Sequence, residues 1–244
     1  MEDIKYRNSV DFEVMGDYAM FSDPSLRIGG SKFSYRVPTY EALKGILKNI
    51  YWQPAFIWVI DKVRIMNEIQ TQSKGIRTIS YCDDESDLFS YSYLVDCRYQ
   101  VRAHFVWNEN RPELMADWNE NKHYNIAKRM IAKGGRRNVF LGTSECQGYV
   151  NPCIFGEGKG YYDDEPEITF GQMYHGITYA DEAYSDATKG KMTIRLWDAT
   201  MEKGIIYFIH PRECKHRQGR EMYMKKYDAE SGNNSLVDNQ EVVA

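Results

Sequence analysis

Residues 121–149 read NKHYNIAKRMIAKGGRRNVFLGTSECQGY. His123, Ile126, Ala127, Met130 and Ile131 recur at helical spacing and define one apolar stripe. Gly134 or Gly135 supplies the C′ position at which such a helix stops. Arg136 and Arg137 follow, and residues 138–141 (NVFL) read as a short strand. From Lys122 to Ser144 there are six Lys or Arg (Lys122, Lys128, Arg129, Lys133, Arg136, Arg137) and no carboxylate. The whole chain carries a formal charge of -4, so this local excess of positive charge is specific to the segment. It suits a polyanion.

The segments upstream give this helix its context. Residues 9–16 (SVDFEVMG) alternate, with Val10, Phe12 and Val14 on one face, and predict a first strand. A polar loop follows, marked by Asp23-Pro24 and Gly29-Gly30, with Arg27, Lys32 and Arg36 among the aromatics Phe33 and Tyr35. This mixture predicts a loop that grips something. Thr39 is placed to cap a helix, and Leu43, Ile46, Leu47 and Ile50 form its buried stripe up to Tyr51-Trp52-Gln53-Pro54. Residues 55–69 read as a buried strand running into a more polar one, and residues 71–93 as a surface loop with an acidic cluster at 83–87. Residues 98–107 (RYQVRAHFVW) alternate, with Arg98, Gln100, Arg102 and His104 on one face. That face is either a solvated side of a sheet or a basic path for nucleic acid. The order strand, helix, strand, strand, helix, strand predicts an α+β, ferredoxin-like domain of the kind RNA-recognition domains share. The fold alone licenses no function.

Near residue 150 the composition shifts to Gly, Tyr and acid, with short strands expected at 167–174, 191–198 and 204–209. The expected division is a ferredoxin-like domain over 1–150, a small all-β domain over 151–228 and a polar, disordered tail over 229–244. The longest apolar run, Ala55 to Ile60, is far too short to span a membrane, and the N-terminus is too polar for a secretory signal. Five scattered cysteines contain no C-x-x-C pair, so neither a disulfide framework nor a zinc site is expected. A cytoplasmic setting follows.

The chemistry narrows by exclusion. Gly134-Gly135 lies at the wrong end of its helix for a nucleotide-cofactor loop, and G-x-x-x-x-G-K-[ST] is absent. The histidines (His104, His123, His175, His210, His216) form no metal-binding repeat. Neither a cofactor nor a metal is expected. Lys122-His123 is the remaining candidate. His can move a proton near neutral pH and Lys can hold a developing negative charge, which is what a metal-free ribonuclease needs. The alternative is a half-buried His beside a solvated Lys. Periodicity assigns Tyr51 to the core.

Long strings in this sequence resemble the CRISPR-associated "Cas five" family in its type I-C (Dvulg) variant, a branch of the RAMP superfamily. They are FEVMGDYAMFSDPSLRIGGSKFSYRVPTYEALKGI (12–46), IYWQP (50–54), NKHYNI (121–126), GGRRNVFLGTSECQGYV (134–150) and IRLWDA (194–199), within a similarity over roughly residues 9 to 212. The resemblance implies a ferredoxin-like (RRM-like, RAMP) domain followed by a small β domain. It implies a metal-independent endoribonuclease that cuts the repeat hairpin of precursor crRNA and then remains on the 5′ handle, among the other subunits of an interference complex. Its active-site group falls on Tyr51, Lys122 and His123. His123 or Tyr51 would activate the ribose 2′-OH and Lys122 would stabilise the phosphorane, leaving a 2′,3′-cyclic phosphate and a 5′-OH. The alternative within the same family is a non-catalytic crRNA-binding subunit. Arg27, Lys32, Arg36, Arg98, Arg102, Arg136 and Arg137 are assigned to RNA contacts from their charge alone.

Overall fold

The computed structural model describes residues 6–22, 31–79, 86–184 and 188–221. In chain order its elements are β1 (Val10–Ala19), β2 (Lys32–Phe33), α1 (Tyr40–Ile50), β3 (Phe56–Ile65), β4 (Gln70–Ile79), β5 (Ser86–Trp107), α2 (Glu120–Ala132), β6 (Val139–Phe140), β7 (Gln147–Pro152), β8 (Glu167–Thr178), β9 (Lys191–Glu202), β10 (Ile205–Tyr207) and β11 (Lys215–Glu221). Among the described residues the 3₁₀ turns Pro112–Asp117 and Ala180–Glu182 interrupt the connections.

Among these residues one mostly antiparallel sheet runs in the order β11-β9-β10-β3-β5-β1-β7-β6. Off this path, β8 pairs with β9, while β2 and β4 pair with β5. The inner strands register as their alternation requires. Val10 faces Ala103, Phe12 faces Val101 and Val14 faces Tyr99 across β1 and β5. Tyr99, Val101, Ala103 and Phe105 are buried, and so is the α1 stripe of Leu43, Ile46, Leu47 and Ile50. Ala127 and Ile131 bring α2 into the same core cluster.

The expected first helix is present. Thr39 Oγ1 accepts from the Ala42 amide at 3.2 Å, so the cap sits where the sequence placed it. Two expectations need correction. Residues 71–93 are not a loop. They lie largely in β4 and β5, which pair in register from Gln70 with Val95 to Ile79 with Ser86. The 71–77 side is polar and mostly exposed, so no hydrophobic alternation announces it; Thr71 and Ile76 here, and Phe89, Tyr91 and Tyr93 opposite, are strand formers by propensity only. The strand β11 was also missed, because KHRQGRE has no apolar face. The acidic residues at 83–85, Arg27 and the tail over 229–244 lie outside the described residues.

The Arg98–His104 face is not an open basic surface either. Gln100, Arg102 and His104 are buried. The glycine-rich segment after β7 covers Gln100 and Arg102, while the Tyr6 ring stacks on His104 at 3.9 Å and Asp61 holds its Nδ1 at 2.8 Å. Gln100 donates to the Glu157 carbonyl at 2.8 Å and accepts from the Gly156 amide at 2.9 Å. Arg102 grips both Asp11 oxygens, at 2.7 and 2.9 Å, beneath the Phe155 ring. Arg64 holds Asp163 at 2.8 Å from the same direction. Alternation reveals two faces but not what lies over either of them.

Candidate active site

Tyr51 closes α1. Its amide still donates to the Leu47 carbonyl at 2.8 Å, but its backbone is extended, and Pro54 forbids further helix. The Trp58 indole donates to the Tyr51 carbonyl at 2.8 Å, which fixes the residue against β3. The ring packs on Phe56 at 5.7 Å between centroids.

The second helix arrives from the other side. Asn119 caps it by accepting from the Lys122 amide at 3.0 Å. Lys122 and His123 therefore lie in its first turn and diverge by roughly 100° around the axis. Lys122 reaches solvent, with 51% of its side chain exposed, whereas His123 is 1% exposed. The His123 ring sits among Phe56, Phe105 and Trp107, with centroids 5.2, 6.4 and 5.9 Å away.

Both ring nitrogens of His123 are engaged. Nε2 lies 2.8 Å from the Asp117 carbonyl oxygen, which can only accept, so Nε2 carries the proton. Nδ1 lies 2.7 Å from Tyr51 Oη. In the neutral imidazole, Tyr51 therefore donates to Nδ1, leaving the lone pairs of its hydroxyl oxygen to accept from another group. Asp117 ends the first 3₁₀ turn and also receives the Lys122 ammonium on Oδ1. Its other oxygen stands 3.4 Å from His123 Nε2. The hydrogen bond from Lys122 lowers the Asp117 carboxyl below its usual range, and the field of His123 adds to this. Burial raises the Tyr51 hydroxyl; Asp117 adds to the rise and the Arg136 guanidinium opposes it.

The Arg136 effect shows where the glycine-arginine loop ends up. Gly134 and Gly135 have φ of 80° and 106°, which a side chain would resist. That turn brings the Arg136 and Arg137 amides to the Ile50 and Asn49 carbonyls, at 3.2 and 3.1 Å. The loop thus caps the end of α1, with Arg136 and Arg137 both exposed and the Arg136 guanidinium close enough to act on Tyr51.

Of the residues expected from sequence, Tyr51, Lys122, His123 and Arg136 gather around this one centre, and Arg137 is exposed on the same loop as Arg136. Arg98 does not. It pairs with Glu13 at 2.8 Å, nine residues along β5 from Trp107, or about 30 Å at strand rise. Arg102 is buried against Asp11. Lys32 lies over the Tyr91 ring at 4.7 Å, and Arg36 is exposed near Arg98 at the far end of the sheet. Asp117 was missed. The only sequence sign was a carboxylate five residues before Lys122, in a turn already full of polar residues. Among the described residues no three His, Cys, Asp or Glu side chains converge in a way that could hold a metal ion.

The sequence model of a CRISPR-associated family, Cas_Cas5d of the Cas_Cas5 group, matches residues 9–209. This chain belongs to the Cas5 family. A Cas5 relative from Mannheimia succiniciproducens, named CRISPR pre-crRNA endoribonuclease Cas5d, is 28% identical over 149 residues, 52% of this chain and 64% of that protein. A protein of the same name from Thermus thermophilus is 26% identical over 151 residues, 57% of this chain and 62% of that one. The match thus spans under two thirds of either relative. Two crystal structures share the Cas5 fold seen here. One, of a CRISPR-associated protein, is 34% identical, covers 84% of this chain and 94% of its own, and has a TM-score of 0.71. The other, SMU1763c from Streptococcus mutans, described as functionally uncharacterized, is 36% identical, covers 85% and 95%, and has a TM-score of 0.70.

Proposed function

We propose that this protein is a metal-independent endoribonuclease that cuts the repeat hairpin of precursor crRNA and stays bound to the product as a subunit of a type I-C interference complex. The 2.7 Å contact between Tyr51 Oη and His123 Nδ1 carries the reading, because it supplies a proton acceptor directly behind a hydroxyl. The names of the two curated relatives agree with it.

In this reading the roles divide by hydrogen bonding. Tyr51 and His123 are both buried, at 4% and 1% exposure, but both ring nitrogens of His123 are engaged, so the ribose 2′-OH is assigned to the remaining lone pairs of Tyr51 Oη. The 2′ proton passes to Tyr51 Oη as the Tyr51 proton passes to His123 Nδ1. The 2′ oxygen bonds to phosphorus, the bond to the 5′ oxygen breaks, and that oxygen takes its proton from solvent. A 2′,3′-cyclic phosphate and a 5′-OH result. Lys122 and Arg136 bear on the phosphorane charge. Arg137, with Lys32 and Arg36 further off, is assigned to the RNA backbone, as is Arg27, which lies outside the described residues, whereas Arg98 and Arg102 are tied to carboxylates. The order β3-β5-β1-β7, with α1 and α2 as the two crossovers, supports a ferredoxin-like unit over 1–150 with a small β domain over 151–228. No helix among the described residues is long and apolar enough to cross a membrane, which agrees with a cytoplasmic role.

The burial of His123 favours a second reading, a crRNA-binding subunit without catalysis. Incubation of the full chain with its cognate repeat RNA in EDTA separates the two. Cleavage to a cyclic phosphate is expected. RNA that is bound but intact would rule out the first reading.

A further inference from the structure

We infer that Asp117 is a positioning residue of this site: it holds Lys122 in place until a phosphodiester arrives, and it faces the imidazolium that His123 becomes during proton transfer. The inference rests on the endoribonuclease reading for its second half but not for its first.

The geometry gives Asp117 three contacts. Its carbonyl fixes the His123 tautomer at 2.8 Å. One carboxylate oxygen takes the Lys122 ammonium, and the other stands 3.4 Å from His123 Nε2. Only the first contact belongs to the backbone, so substitution of the side chain leaves the tautomer in place. The groups facing His123 are few. Tyr51 comes from the end of α1, Asp117 from the 3₁₀ turn, and β3 and β5 present only Phe56, Phe105 and Trp107. Lys122 stands on the helix's own first turn and Arg136 beyond Tyr51. Asp117 is therefore the one carboxylate among the described residues placed to meet a positive charge on that ring. In a pocket walled by aromatic rings, such a charge has no solvent to stabilise it.

The same carboxylate opposes RNA binding. An Asp beside the scissile phosphate repels it and occupies the cation that the phosphate needs. Lys122 is half exposed on a flexible stem, so it can exchange one oxyanion partner for another. Asp117 thus weakens ground-state binding and favours the state in which His123 carries the proton, which is the division that raises turnover rather than affinity.

A double-mutant cycle tests this on the full chain, using cognate repeat RNA with a 2′-deoxy sugar at the scissile position as the probe for binding. Asp117→Asn is expected to bind that RNA about 3-fold or more tightly than wild type. The gain should shrink when Lys122 is already Met, leaving only the direct repulsion. A gain that persists undiminished in the Lys122→Met background is repulsion alone and overturns the tethering claim. On cleavable RNA, Asp117→Asn is expected to cut about 10-fold or more slowly in single turnover. The acid limb of its rate profile should move to lower pH, and Asp117→Glu should recover part of the rate. An unchanged rate and profile in Asp117→Asn overturns the imidazolium claim. If wild type binds but does not cut, the endoribonuclease reading fails by itself, and the binding cycle still decides the tether. A melting curve for each variant separates misfolding from these effects.

Discussion

Tyr51 keeps its proton at neutral pH, because burial and the nearby Asp117 both raise its hydroxyl. In the proposed mechanism it therefore passes a proton on rather than standing as a phenolate. Tyr51→Phe keeps the ring on Phe56 and removes only the oxygen. Cleavage is expected to fall about 100-fold or more, while affinity for 2′-deoxy RNA changes little, as single-turnover and binding assays would show. The same change leaves His123 Nδ1 buried without its partner, so stability should drop by about 1–3 kcal/mol in urea unfolding. The arginine pair is expected to behave differently. Replacing Arg136 and Arg137 with Ala should flatten the slope of log affinity against log salt by about 1 to 1.5, since each lost phosphate contact removes roughly 0.7. A slope equal to that of wild type would remove the pair from the RNA contact.

At the level of single residues, the sequence made some of this legible. Lys122 and His123 stand out because a charge-bearing pair at a helix start has chemistry of its own. Tyr51 does not stand out. A tyrosine one place beyond Ile50 continues the buried stripe, and its hydroxyl becomes informative only when α2 delivers an imidazole to it. Asp117 carries no pattern at all, because its partners are defined by a turn geometry that periodicity does not encode.

The elements that hold the site were mostly readable, and the exceptions share a cause. Both helices and the inner strands advertise a buried face, so alternation and i, i+3, i+4 spacing find them. The described side chains of β4 are mostly exposed and the β11 sequence KHRQGRE has no apolar face, so both pair through backbone groups that no side-chain period records. Tight backbone approach is equally silent. Gly142 has φ of 99°, and a Cβ there would come within 1.9 Å of the Met20 carbonyl oxygen. That oxygen belongs to the segment whose amide bonds Leu141 at 2.9 Å, which ties the end of β1 to the turn after β6. Gly142→Ala is expected to cost about 2 kcal/mol or more, read as a lower melting temperature. Gly156→Ala meets no atom within 4 Å, so only its positive φ opposes it and the loss should be smaller.

Across the whole molecule, α1 is tied to the C-terminal strands by buried charge. Lys44 and Lys48 share Glu182, and Arg195 bridges Glu41, Thr178 and His175. Burial, with the adjacent Arg195, holds His175 down to about 3. The unfolded chain has no such constraint and takes up the proton near about 6.5. Between those values the unfolded state binds more protons, so stability rises with pH. The contribution of His175 is complete above about 6.5 and is lost as pH falls toward 3. One proton gives a slope of about 1.4 kcal/mol per pH unit. His210, also lowered by burial, adds to it. Urea midpoints between pH 7 and 5 should therefore fall steeply in wild type and less steeply in His175→Gln. Equal slopes would show that the imidazole is not held neutral. None of this cluster was legible beforehand, because its members lie far apart in the chain and each alone reads as a surface polar residue.

The capping of α1 by the Arg136 and Arg137 amides also sets an order of events during synthesis. Helix α1 leaves the ribosome early, but its last carbonyls must bond water until the chain has grown past residue 137. Tyr51 then lacks its imidazole, and its helix lacks a closed end. On the proposed reading, a nascent chain is for that reason inert toward the transcripts around it, and competence requires the second helix and its arginine turn to be docked. Truncations that stop before that turn should fold their first strand and helix poorly and should never cut.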